Sequence, residues 1–143
     1  MTNMNPSAYN KVVWEVASSY EYDKWFSSLD DESKEAVLER VLLLQRLEPN
    51  LPRPYADVLH GNKNHSNLKE LRNRTKNHIL RVAYYFDSER KAFLLTGGDK
   101  KGKDQNKFYK NLIAEAEGII AIHEKGQEEK NEKCRKNDGI ADV

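Results

Sequence analysis

Six fixed cations stand between His60 and Arg81, namely Lys63, Lys69, Arg72, Arg74, Lys76 and Arg81, against a single acid, Glu70. Five lysines follow between Gly97 and Lys110 (Lys100, Lys101, Lys103, Lys107 and Lys110), against Asp99 and Asp104. The whole chain carries a formal net charge of only +1. A nearly neutral protein with a locally positive face is suited to holding a polyanion. Arginine brings a planar fork that matches two phosphate oxygens, whereas lysine brings a mobile point charge. Arg72 and Arg81 flank a predicted hairpin, so both can reach one concave face. In the run Gly97-Gly98-Asp99-Lys100-Lys101-Gly102 the glycines admit close backbone approach to a ligand while two ammonium groups stand beside it. The run lacks the Gly-Lys-Ser/Thr ending of a nucleotide-binding loop, so neither ATP nor GTP is assigned as a cofactor. Solvated surface charge that merely attracts an anion is the competing reading for these lysines.

Other chemistries are less well supplied. The single cysteine, Cys134, has no partner in the chain, which excludes an internal disulfide framework. His60, His65, His78 and His123 lack cysteine partners and metal-site spacing, so no metal is assigned. No apolar run approaches the roughly 18 to 20 residues needed to span a bilayer. Residues 1–10 have neither the basic start nor the apolar middle of a secretory signal. These features lead to the expectation of a soluble, cytoplasmic protein with no membrane partner.

The 143 residues suit one domain with one core. Lys11 to Ala17 is rich in Val and Trp and predicts a short opening strand. Trp25, Phe26 and Leu29 then share one side of a short helix. Asp30 and Asp31 supply an N-cap for a second helix, in which Val37, Val41, Leu44 and Leu47 recur at helical spacing. That helix must stop before Pro49. Residues 49–67 hold Pro49, Pro52, Pro54 and Gly61 and predict a long irregular connection. Leu68 to Arg72 and Ile79 to Phe86 predict two strands joined by a turn over Asn73 to Asn77. Ala92 to Thr96 predicts a third strand after a polar turn, and short links make the three an antiparallel meander. A flexible lysine loop follows Gly97 and Gly98. Asp104 can cap a final helix carrying Tyr109, Leu112, Ile113, Ala116, Ile119, Ile120 and His123 on one side. The resulting plan is α+β: a flexible stretch 1–10, a domain 11–125, and a charged tail 126–143 expected to be disordered. Residues 15–57 hold ten acids and five bases, so the helical pair and the sheet present opposite signs.

The motifs LPRPYADVLHGNKNHSNLKELR (Leu51 to Arg72), RVAYYFD (Arg81 to Asp87), KAFLLTGGDKKG (Lys91 to Gly102) and Phe108-Tyr109 resemble the RelE/ParE toxin superfamily, most closely its phage-related HigB branch. The resemblance runs from about Val12 to His123. It implies a RelE-like α+β fold, with an N-terminal strand and a two-helix hairpin packed on a small antiparallel sheet with a C-terminal helix. It also implies a toxin of a type II toxin–antitoxin pair that cleaves messenger RNA, commonly in the A site of the 70S ribosome. The implied partner is a helix-turn-helix, HigA-like antitoxin that neutralises the toxin by direct binding. ParE-like relatives instead poison DNA gyrase by binding, which is the runner-up reading. The clustered cations and the aromatic residue favour RNA cleavage, since ParE-like members generally lack them.

Metal-independent cleavage needs a base to take the 2′-OH proton, cations to hold the phosphorane and an acid for the leaving oxygen. The resemblance points to Arg72 and Arg81 beside the phosphate. It also points to Lys100, or less directly Lys101, after the last strand, and to Tyr109 on the final helix for stacking or proton transfer. Helical spacing with Leu112 and Ile113 makes Tyr109 equally readable as core, and Phe108 reads more readily as packing than as a second stacking ring. Lys63, Lys69, Arg74, Lys76, His78, Lys103 and Lys107 are the expected RNA contacts. The chain departs from RelE where that toxin has a lysine pair leading into the first arginine: here Leu68 and Glu70 stand, with Lys69 on the opposite side of a regular strand. The general base is therefore open among Glu70, Asp99, Tyr109 and a lysine of depressed pKa.

Overall fold

The computed structural model describes residues 14–47, 51–60 and 67–141, with side chains described as far as Lys133. Strand β1 (Val16–Ser18) leads into helices α1 (Tyr20–Ser27) and α2 (Asp31–Leu47). Four strands follow, β2 (Ala56–Val58), β3 (Lys69–Arg74), β4 (Ile79–Phe86) and β5 (Ala92–Asp99), and helix α3 (Gln105–Ala141) closes the chain. Local capping marks each helix start. The Ser19 side chain accepts from the Tyr22 N–H at 2.9 Å, Asp30 Oδ1 from Ser33 at 2.7 Å, and Asp104 Oδ1 from Lys107 at 2.9 Å. The α1–α2 pair follows the sequence expectation; α2 is described to Leu47, and Pro49 lies outside the described residues.

The strands form one sheet in the order β1-β5-β4-β3-β2. β1 runs parallel to β5, whereas β2–β3, β3–β4 and β4–β5 are antiparallel, so the predicted meander is present. The pleat splits the sheet into two buried faces. Leu71, Leu80, Val82, Tyr84 and Leu94 pack with Val37 and Leu44 beneath α1 and α2. Leu68, Ala83, Tyr85, Phe93 and Leu95 pack with Leu112, Ala116 and Ile120 of α3. Both faces of the sheet are thus covered, and none of the described helices is long and apolar enough to cross a membrane.

Four expectations differ from the structure. The connection 49–67 contains β2, which is held to β3 by the register Ala56↔Leu71 and Val58↔Lys69. Three residues among prolines carry too little periodicity to declare a strand. β3 extends to Arg74, so the hairpin turn is shorter, closed by the Thr75 N–H to His78 O at 3.0 Å. Gly97 and Gly98 belong to β5 rather than to a flexible loop. Both are glycine for lack of room: a Cβ on Gly97 would lie 2.5 Å from the Trp25 ring, and one on Gly98 2.9 Å from Phe108. Finally, α3 continues through Ala141, where the sequence led us to expect a disordered tail from residue 126. No proline interrupts that stretch, and Gln127 ties its start to Asp87 and Glu89 at 3.2 and 3.1 Å. The expected strand residues Lys11 to Val13 and the N-terminal stretch lie outside the described residues, as does the Cys134 side chain.

Candidate active site

The antiparallel register sets Arg72 directly opposite Arg81, so both side chains leave the sheet on the α3 face. Glu70 lies two residues before Arg72 on the same face and opposite Asp57 of β2. Arg72 Nε donates to Glu70 Oε2 at 3.2 Å, and its Nη2 lies 3.4 Å from Asp57 Oδ2. Arg81 Nε sits 3.5 Å from Glu70 Oε1, an ion pair without hydrogen-bond geometry. The same Nε donates to Tyr109 Oη at 3.2 Å, and Nη1 donates to the Leu80 carbonyl at 2.9 Å. Glu70 is only 3% exposed and Arg81 8%. A buried carboxylate thus holds two guanidinium groups side by side.

Lys100 follows β5 immediately, its N–H anchored to Ile79 O at 2.8 Å. Its ammonium nitrogen lies 5.3 Å from the centre of the Tyr109 ring. A cavity of about 300 Å³ opens between β2 and α3, lined by Asp57, Glu70, Arg72, Lys100, Gln105 and Tyr109 among others. Burial lowers the Lys100 pKa, and Arg81, Arg72 and Arg74 push it in the same direction while Glu70 opposes them. Burial raises the Tyr109 pKa, with the Glu70 charge adding to it and the Arg81 hydrogen bond opposing. The patch therefore combines two anion-holding forks, an amine that gives up its proton more readily than usual, and a phenol that keeps its own.

The remaining predicted site residues divide by face. Arg74 projects on the Arg72 side of β3 and is exposed. Lys101 is exposed in the turn, with its N–H held by Asp99 Oδ1 at 3.0 Å, and no described contact draws its side chain into the patch. Lys103 and Lys107 line a separate groove with Gly98, Asn111 and Leu112. Phe108 is buried against Gly98 and meets Tyr109 edge-on at 5.3 Å, so it packs rather than offering a stacking surface. Lys69 faces the other side, 5.8 Å over the Phe86 ring. Lys76 sits exposed at the hairpin tip, its N–H 3.4 Å from Glu32 Oε1. His78 also lies on the helical-pair side, 2.5 Å from Asp99 Oδ2 and 3.2 Å from Asp30 Oδ2. That pairing turns both His78 and Asp99 toward the helical pair and away from the patch. Lys63 lies outside the described residues.

Three residues of this region carried no sequence signal. Asp57 enters through the unrecognised strand β2, Gln105 through the first turn of α3, and Arg40 of α2 through a contact with Tyr55, its guanidinium carbon 4.6 Å from the ring centre. Among the described residues no group of three or more His, Cys, Asp and Glu comes together in a metal-holding arrangement.

The family model of phage-derived Gp49-like proteins (DUF891) matches residues 24–120. HigB2 of Mycobacterium tuberculosis strain H37Rv, named as a candidate toxin, is 32% identical over 113 residues, which cover 78% of this chain and 55% of HigB2. This chain therefore spans little more than half the length of that relative. HigB3 of the same organism, also named as a candidate toxin, is 35% identical over 91 residues, covering 64% of this chain and 76% of HigB3. Among solved structures, the intact RelBE toxin–antitoxin complex of Escherichia coli overlays with a TM-score of 0.45 at 12% identity, covering 64% of this chain and 98% of that one. A mutant of Escherichia coli RelE in the free state overlays with a TM-score of 0.47 at 13% identity, covering 76% and 98%.

Proposed function

Since the chain belongs to the phage-derived Gp49-like family, of the RelE/HigB toxin superfamily, we propose that it is the toxin of a toxin–antitoxin pair and acts as an endoribonuclease on messenger RNA, on the ribosome. One observation carries the nuclease reading: Arg72, Arg81, Lys100 and Tyr109, from β3, β4, the turn after β5 and α3, converge around the buried carboxylate of Glu70. Binding alone would not require a depressed amine and a retained phenol proton within one cavity.

In this reading the two guanidinium groups grip the scissile phosphate and hold the charge that builds on it. Lys100, with its lowered pKa, takes the proton from the 2′-OH. Tyr109 supplies a proton to the departing 5′-oxygen, and the Arg81 N–H that it accepts sharpens it as a donor. Glu70 orients both arginines. Partners are the messenger RNA, the ribosome and an antitoxin that covers or distorts this patch. The test is induction in a bacterium of the wild-type protein beside Arg81→Ala and Lys100→Ala. Wild type should deplete messenger RNA and arrest growth, whereas the folded variants should permit growth. Full toxicity of both variants, or growth arrest with intact transcripts and a DNA-damage response, would reject the assignment, the latter in favour of a gyrase-binding protein.

A further inference from the structure

A second cavity, of about 310 Å³, opens on the other side of Arg72, where the edge of β3 runs past the beginning of β2. Its walls include Arg72, Arg74 and Arg81 from the sheet and Arg40 from α2, and no carboxylate lines it. The presence of Arg40 is notable because its helix is otherwise acidic at its start, with Asp31 and Glu32 in the first turn. The Tyr55 ring supports the Arg40 guanidinium from one side, which fixes the group without neutralising it. Arg40 Nε finds no hydrogen-bond partner among the described residues.

Asn73 provides an independent sign of a missing occupant. It is 3% exposed, it lines this cavity, and neither its amide nitrogen nor its amide oxygen has a hydrogen-bond partner among the described residues. Buried amides are almost always satisfied, so an unpaired one in a cavity whose lining includes four arginines and no carboxylate points to a ligand that accepts hydrogen bonds and carries negative charge. Arg72 and Arg81 border both this cavity and the proposed cleavage patch, so the two form one continuous basic track.

We infer that the cleft between Arg40 and Arg74 binds a second backbone phosphate of the RNA strand, next along from the phosphate held for cleavage. This rests on the nuclease reading above and extends it to how the strand is threaded. Arg74 takes the phosphate from the open side, Arg40 from the helical side, and the Asn73 amide donates from the floor. Such contacts set register and affinity without reading the base.

The test is a salt series of binding measurements with an uncleavable single-stranded RNA oligonucleotide, blocked at each 2′-OH, on wild type, Arg40→Ala and Arg74→Gln. Each variant should bind several-fold more weakly and lose about 0.7 from the slope of log affinity against log salt, the signature of one single-strand phosphate contact. Arg40→Ala removes the guanidinium that packs on Tyr55 and is checked by circular dichroism; if it unfolds, the exposed Arg74→Gln decides. Unchanged affinity and slope in the folded variants would overturn the cleft while leaving an active wild-type nuclease untouched. A wild type that neither binds nor cuts RNA would sink both readings together. Variants that bind RNA normally but lose the antitoxin would reassign the cleft to an acidic protein segment and overturn the proposal.

Discussion

Replacing Glu70 with glutamine separates charge from shape at the centre of the patch. The side chain is 3% exposed, lies 3.2 Å from Arg72 and 3.5 Å from Arg81, and has Lys100 across the same cavity. Only the Arg72 contact has hydrogen-bond geometry, and a bond to a charged group contributes about 1.5–3 kcal/mol. Loss of the attraction at Arg81 adds a smaller amount, which brings the total to about 2–4 kcal/mol, below the roughly 3–5 kcal/mol of outright removal of a buried partner. For a domain of this length that corresponds to a fall in Tm of about 8–16 °C. The companion Glu89→Gln breaks a 3.2 Å pair with Lys91 in which both side chains are over a third exposed, and it should leave Tm nearly unchanged. A second readout follows from the proposed acid–base roles. Glu70 is the group that holds the Lys100 pKa up against its cationic neighbours. Without its charge that pKa falls further, so the acid limb of the rate profile for RNA cleavage should move to lower pH. A glutamine variant that melts with the wild type and keeps its pH profile would refute the view that Glu70 holds the arginines and governs Lys100.

Gly97→Ala should destabilise by about 1–3 kcal/mol, measured by urea unfolding, because its methyl group would stand 2.5 Å from the Trp25 ring; an unaffected midpoint would mean that α1 yields freely. Phe108→Ala should cost about 3–5 kcal/mol as a buried ring packed on β5; a loss of RNA binding without loss of stability would instead make it a stacking surface. His78 has its pKa raised, chiefly by the hydrogen bond to Asp99, against some burial, with Asp30 adding. The stabilisation it brings is therefore complete below its unfolded pKa, about 6.5, and lost as pH rises through the higher folded value. His78→Asn should thus lower the urea midpoint more at pH 6 than at pH 9, and an equal loss at both would reject the clamp.

The long elements were legible in the sequence because their periodicity is strong. Ile79 to Phe86 reads as a strand and is β4 to the residue, and Asp30 and Asp104 cap helices where their spacing indicates. That Arg72 and Arg81 reach one face also follows from a hairpin between the two runs, whereas their direct pairing needs the shorter turn at Thr75–His78 that the structure shows. Illegible features are those that depend on tertiary partners. β2 exists only because β3 offers it an edge, and with it Asp57 was hidden. Gly97 and Gly98 look like a flexible loop until Trp25 and Phe108 are seen lying on them. His78 is basic by type, yet Asp30 and Asp99, at sequence separations of 48 and 21, turn it into a structural clamp. Arg40 sits in a helix of mixed charge and becomes interesting only beside Tyr55 and Arg74.

The division of labour proposed for Lys100 and Tyr109 rests on one shared environment. The two groups have nearly equal proton affinities in water, about 10.4 and 10. Burial penalises the charged form of each, which is the protonated amine in one and the deprotonated phenol in the other, so the same cavity drives the two values apart. Groups separated in this way become the base and the acid of a proton-transfer pair. Tyr109→Phe keeps the ring beneath the Lys100 amine and removes only the proton, so it should slow cleavage by about 10²- to 10⁴-fold with RNA affinity nearly kept. A substrate whose leaving 5′-oxygen is replaced by sulfur departs without protonation. It should therefore restore the Tyr109→Phe rate to that of wild type, while leaving Lys100→Ala slow. A phenylalanine variant that remains equally impaired on the sulfur substrate would show that Tyr109 serves to hold Arg81 in place, through the 3.2 Å hydrogen bond, and donates no proton.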